Sequence, residues 1–418
     1  MRFVQDPFAG FVDDPVRESC EVAELLERST SSWYEGRLDL GLRYAAAATA
    51  VECREPHEFC QQAQFWYVKL LIKARELEAS SLVLDAIEVP GGGAQPQRMV
   101  AMSHAVRGEL LFAMGATDDA VAEVSAGLRI AERCGVRSLR PPGYVVMALG
   151  ALRRADMRVC LHFVDKLADE ALLGYGHAAG AWVTAHAMEA RSGVASAAGL
   201  IAGIVTNPVV LRQLLVSEPA AASWLVRAAG KLGADDLART TVTAAADASA
   251  HHPRFNVIRG SALHAAGLLE GDPDKLLQAA DLYPDRWCGA SAREDMATSL
   301  AERCSERDRA IRAFESILST YNAIGATRDA SRVVNKLRDF GVRRGATRTV
   351  EREGPMHHGL TDAEFAVADL VSQGHTNNEV GRQLFISQHT VAFHLKKVFQ
   401  KMNVASRVEL AASWKVMQ

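Results

Sequence analysis

The fold class this sequence predicts is all-α: a long helical-repeat superhelix followed by a small domain of four short helices. Two observations predict it. Alanine- and leucine-rich stretches with short breakers recur through residues 15 to 340, while β-branched alternating runs are scarce. In the last sixty residues, helix-start signals come four times in quick succession.

The breakers set the repeat. Gly115 in LLFAMGATDDA, Gly150 in VVMALGALRRADM, Gly193 in AMEARSGVASA, Gly233 in RAAGKLGADDLA and Gly271 in AAGLLEGDPDKLL follow apolar helical stretches at near-constant spacing. A further unit follows at SLAERCSERDRAIRAFESIL. A period of this size means helical hairpins stacked as a tetratricopeptide (TPR)-like solenoid, because one hairpin cannot bury its own apolar face. The competing reading is an irregular bundle with chance glycines. Small residues on the first helix of each unit allow close packing, and a Gly/Asp/Ser turn leads into the second. The first hundred residues show the pattern less well. VPGGGAQPQ at 89–97 reads as a connector, since no P-loop lysine follows its glycines. His251 and His252, before Pro253, read as an inter-helix turn. Residues 343–359 are polar and punctuated by glycine and proline, a linker between a repeat domain at 1–342 and a terminal domain at 360–418. His357 and His358 fall in that linker without acidic or sulfur partners nearby, so they read as solvated.

Composition bounds the function. The chain has 418 residues, 49% apolar and 23% charged, with a net charge of −3, so nucleic-acid binding must come from a local patch. Seven cysteines without C-x-x-C spacing suggest reduced thiols and neither a disulfide framework nor a zinc site. The N-terminus has no apolar h-region, and no apolar run approaches the roughly 20 residues of a bilayer span. A cytoplasmic protein with no membrane partner is expected. Scattered His and Asp residues show no catalytic spacing, and no nucleotide-triphosphate loop occurs, so neither an enzyme nor a cofactor is expected.

The terminal domain carries the strongest local signals. Thr361 with Glu364, Thr376 with Glu379 and Ser406 with Glu409 each have capping-box spacing, and Ser387 can cap a third helix running to about Met402. Four short helices with tight turns make a compact helix-turn-helix domain. On the third helix, Val391, Leu395, Val398 and Met402 form one apolar stripe. His389, Phe393, Lys396, Lys397 and Gln400 form the opposite face, of a kind that enters a major groove. A solvated face with one stray Phe is the bland alternative. In a third reading Phe393 packs on the repeats and covers the helix.

These landmarks resemble the LuxR-type DNA-binding domain: LTDAE, Gly374, TNNEV, LFIS, HTV, His394, Leu395, Lys401, NV and SRVEL, over residues 360 to 412. The resemblance implies DNA binding through Ser387, His389, Thr390, Phe393, Lys396, Lys397 and Gln400. In it Thr390 corresponds to a phosphate-contacting position, Phe393 and Lys396 to base-reading positions, and Glu364 and Leu384 to structural ones. Ala392 departs from the family's lysine and removes a DNA contact. Gly381 replaces a common alanine, at a cost of ~1 kcal/mol in helix propensity. The family's habit of pairing through its last helix implies a homodimer through Val408, Ala411 and Ala412, with Trp414 either in that surface or in the core. Upstream, the helical repeats resemble those before the DNA-binding domain in large ATP-binding LuxR regulators of the MalT-like group, without the ATPase.

A transcriptional regulator is therefore expected. Its terminal domain binds double-stranded promoter DNA, and its repeats sense a small molecule, peptide or protein. The alternative is an interaction scaffold or anti-regulator with weak or vestigial DNA binding, which Ala392 and a net charge of +1 over residues 356–418 favour.

Overall fold

Left-handed turns at Gly36, Arg75, Gly115, Ala155, Gly193, Gly233 and Gly271 mark a repeat of 38 to 40 residues in the computed structural model. The structure describes residues 20–52, 58–87, 94–342, 360, 362–384, 388–402, 404 and 406–417. Among these residues there is no strand, so the predicted all-α class holds. The chain divides into two units, Met1–Arg343 and Arg344–Gln418.

The first unit opens with four regular hairpins: α1 (Glu21–Tyr34) with α2 (Leu38–Ala50), α3 (Glu58–Lys73) with α4 (Leu77–Asp85), α5 (Ala94–Met114) with α6 (Thr117–Arg133), and α7 (Arg140–Arg153) with α8 (Met157–Glu170). Then come α9 (Ala178–Ser192), α10 (Ala198–Thr206) and α11 (Pro208–Ser217). Two more hairpins follow, α12 (Ala221–Leu232) with α13 (Asp235–His251) and α14 (Asn256–Glu270) with α15 (Pro273–Leu282). The unit closes with α16 (Arg286–Ala301), α17 (Arg307–Ala323) and α18 (Thr327–Asp339).

Two turns escape a glycine-based reading of the sequence. Gly150 lies inside α7, and the turn that it was expected to mark is made by Ala155 at φ 62°. Gly150 serves close approach instead: a Cβ there would lie 2.9 Å from a methyl of Val121. The turn of the second hairpin is Arg75 at φ 59°, a conformation costing an L-residue roughly 1–2 kcal/mol. Its guanidinium offsets that cost by donating to the Ile72 carbonyl at 2.9 Å, at the end of α3. The repeat thus begins in the first hundred residues. The connector expected over 89–97 is shorter than predicted, since α5 begins at Ala94; residues 88–93 lie outside the described ones. The turn expected at His251 and His252 is present, with His252 ending α13.

Small residues set the spacing between paired helices. At Gly108 of α5 an added Cβ would lie 2.4 Å from Val124 of α6. One core runs from Val22 to Leu337, with Trp33, Phe255, Phe314 and Tyr321 fully buried. The apolar helices α10 and α11, bent by 97° at their junction, are part of it through Ile201, Ile204, Leu211 and Leu214. Among the described residues no single helix is long and apolar enough to cross a membrane. The array also contacts itself beyond neighbouring repeats. Arg75 reaches Asp285 at 3.4 Å, the Thr117 hydroxyl donates to the Ile324 carbonyl at 3.3 Å, and the Arg153 guanidinium lies between the rings of Phe112 (4.0 Å) and Trp287 (4.6 Å). The early hairpin turns therefore converge on the last three helices. Buried carboxylates join that region: Glu294 accepts from Arg332 at 2.8 and 2.6 Å and from the Tyr321 hydroxyl at 3.0 Å, and Asp295 pairs with Arg227 and His264.

The second unit holds α19 (Asp362–Ser372), α20 (Asn377–Leu384), α21 (Gln388–Met402) and α22 (Arg407–Met417).

Candidate functional site

The second unit is built by its caps and one small core. α19 ends at Gly374, whose φ of +92° turns the chain. α20 starts on a reciprocal capping box: the Glu379 amide donates to the Thr376 hydroxyl at 3.3 Å, and the Thr376 amide donates to the Glu379 carboxylate at 2.7 Å. At α22 the Glu409 amide donates to the Ser406 hydroxyl at 3.2 Å. Thr361, the partner predicted for Glu364, lies outside the described residues. Glu364 itself is buried and takes a hydrogen bond from Lys401, tying the start of α19 to the end of α21. Trp414 donates to Asp369 at 3.2 Å and packs on Phe365 with ring centroids 5.1 Å apart.

These contacts fix how α21 is rolled. Val391, Leu395 and Val398 are buried against Val367, Val371, Val380 and Leu410, and Met402 packs at the edge of that cluster. The apolar stripe expected from the sequence is thus the inner face. Lys396, Lys397 and Gln400 are exposed on the outer face, together with Ala392. α20 and α21 form the helix-turn-helix, with α21 the second helix, the one that such motifs insert into a major groove.

Residues 358–413 match the family described as bacterial regulatory proteins, luxR family. The C-terminal unit carries a LuxR-family helix-turn-helix domain. Over this domain the chain is 36% identical, across 55 residues, to the transcriptional regulatory protein LiaR of Bacillus subtilis, covering 13% of this chain and 26% of that protein. It is 43% identical across 49 residues to a nitrate/nitrite response regulator protein homolog of Haemophilus influenzae, covering 12% and 24%. It is 35% identical across 100 residues to the CsgBAC operon transcriptional regulatory protein of Escherichia coli, covering 21% and 45%. The chain spans about a quarter of the length of the first two and under half of the third.

Of the residues that the sequence led us to expect at DNA, Lys396, Lys397 and Gln400 lie together on the outer face. His389, Thr390 and Phe393 belong to α21 by backbone, but their side chains lie outside the described ones, as does Ser387 altogether. On α22, Val408 is 79% exposed and Ala412 is exposed, while Ala411 is half-buried. Trp414, which the sequence left between surface and core, is core, at 5% exposure.

The sequence reading missed a pocket in the first unit. It has a volume of about 150 Å³ and is walled by Trp66, Phe112, Val145 and Leu149. Tyr34, Lys69, Lys73, Glu109, His177 and Glu218 supply its polar groups. Lys69 pairs with Glu109 at 3.3 Å. The His177 Nδ1 accepts from the Gly180 amide at 2.8 Å and caps α9, which places the proton of the neutral ring on Nε2. The buried Nε2 has no partner of normal hydrogen-bond geometry, though the Pro141 carbonyl acts on the ring. Burial, helped by Lys73, lowers the His177 pKa to about 4. Burial, with Glu109, raises the Tyr34 phenol to about 12. Burial also holds the Glu218 carboxyl above the usual carboxylate range, against the pull of Lys73, Arg75 and Arg153. No sequence motif announces the pocket, because its residues come from six helices or their ends between Tyr34 and Glu218.

Proposed function

We propose that this protein is a DNA-binding transcriptional regulator that acts as a homodimer, with α21 in the major groove and the helical repeats as a sensor. The observation that carries the reading is the outer face of α21: two lysines and a glutamine opposite a buried apolar stripe, in a LuxR-family domain. The lysines supply phosphate or guanine contacts, and Gln400 can read adenine. The family resemblance adds Ser387, His389, Thr390 and Phe393 as further DNA-contact residues. A net charge of +1 over residues 356–418 makes one domain a weak binder, so two domains on a twofold-related site fit the charge better. Val408 and Ala412, with Ala411 beside them, offer the surface for pairing, as the domain family implies. The relatives whose names describe transcriptional regulation support the reading for this domain.

Mobility shift of the full chain on the DNA upstream of its own gene, against scrambled competitor, tests the proposal. A specific complex that survives competitor is expected. Binding that scrambled DNA abolishes would instead favour the second reading, a repeat scaffold with a vestigial DNA domain, for which the exposed Ala392 speaks.

A further inference from the structure

The pocket of the first unit brings together features that a packed helical core does not need. Lys73, half-buried, lines it, and its charge acts on His177 and Glu218 there. No described residue forms an ion pair with Lys73 or with Glu218, although the other lining charges are matched: Lys69 by Glu109, and Arg75 by Asp285. Retaining an unmatched cation at a part-desolvated site is costly unless something pairs with it. The remaining polar groups can donate to an anion: the hydroxyls of Tyr34, Ser138 and Ser217 and the Gln213 amide. The walls are aromatic and branched aliphatic, and the volume is roughly that of a cavity holding one benzene ring. Lys73 offers an anion a partner, and the aromatic walls favour an organic one over an inorganic one.

We propose that this pocket binds a small organic carboxylate, with a body the size of one aromatic ring between Trp66 and Phe112 and its carboxylate on Lys73. The proposal rests on the sensor reading of the repeats and names the chemistry of what is sensed. Glu218 makes binding pH-dependent. The charged groups acting on it are Lys73 and Arg75 from the end of α3, Arg153 from α7 and Glu109 from α5, while His177 of α9 stays neutral down to about pH 4. A ligand carboxylate beside ionised Glu218 is repelled, so binding takes up a proton there. Affinity therefore falls as pH rises through the Glu218 titration.

The test is calorimetry and thermal unfolding of the full chain with benzoate and phenylacetate, set against benzamide, phenylacetamide and benzylamine. The acids are expected to bind and raise the unfolding midpoint, with the amides and the amine inert. Lys73→Met should weaken the acids about tenfold or more, and Lys73→Arg should retain most of the affinity. Glu218→Gln should bind more tightly at high pH and lose the pH dependence. Circular dichroism on each variant separates lost binding from lost fold. Equal binding of acid and amide, or Lys73→Met binding like the wild type while folded, would overturn the proposal. DNA binding is measured in parallel. If the acids bind without changing DNA affinity, the pocket stands and the sensor reading falls. If DNA is bound and no acid is, the pocket proposal falls alone.

Discussion

The two units use polar interactions at different ranges. In the first, the carboxylates of Glu294 and Asp295 are largely buried and are held by residues 27 to 68 positions away, among them Tyr321, Arg332 and Arg227. In the second, caps such as Thr376 with Glu379 and Ser406 with Glu409 act over three residues at the surface. The Glu364–Lys401 and Trp414–Asp369 bonds then join the helix ends. Long-range buried pairs make folding depend on the whole array closing. Short-range caps let four small helices form around a modest core.

The largest expected effect tests this difference directly. Glu294→Ala removes the anion that Arg332, Lys336 and Tyr321 share and should cost the first unit about 3 kcal/mol. That figure is near the low end for a broken buried pair, because Arg332 keeps Asp329 at 2.7 Å. Chemical denaturation should show the first unit's transition moved and the second's unchanged. Gly108→Val, which would press a methyl-bearing Cβ into Val124, should cost about 1–3 kcal/mol in the same transition. Thr376→Ala should cost about 1 kcal/mol, this time in the second unit's transition. A shift of both transitions together in any of these would mean that the units fold as one.

A further effect is graded by pH. The His177 pKa is lowered to about 4 from an unfolded value near 6.5, so the folded state binds fewer protons than the unfolded one. Its contribution to stability is present above pH 6.5 and is lost as pH falls toward 4. His177→Asn keeps a cap acceptor for the Gly180 amide and removes the titration. The slope of stability against pH in that window should flatten without a large change at pH 8, as read from thermal midpoints across a pH series.

The same difference in range explains what the sequence could and could not reveal. Capping spacings and the i, i+4, i+7 stripe of Val391, Leu395 and Val398 are local, so the second unit was legible nearly to its helix ends. The repeat was legible where glycine makes the turn, as at Gly115, Gly233 and Gly271. It was hidden at Arg75 and Ala155, where ordinary residues take the left-handed conformation that glycine usually fills. Gly150 misled because a glycine kept for close helix approach looks, in a sequence, like one kept for a turn. The convergence of the early hairpin turns on α16–α18 and the pocket near Lys73 depend on contacts between residues as much as 210 positions apart, and no local pattern encodes them.

The central claim is that the outer face of α21 meets DNA. The most direct measurement is the salt dependence of DNA affinity for the full chain, comparing wild type with Lys396→Ala. Loss of one phosphate contact predicts weaker binding at low salt and a slope of log affinity against log salt that is shallower by about 1. An unchanged slope and affinity in a folded variant would place the DNA contact elsewhere and contradict the reading.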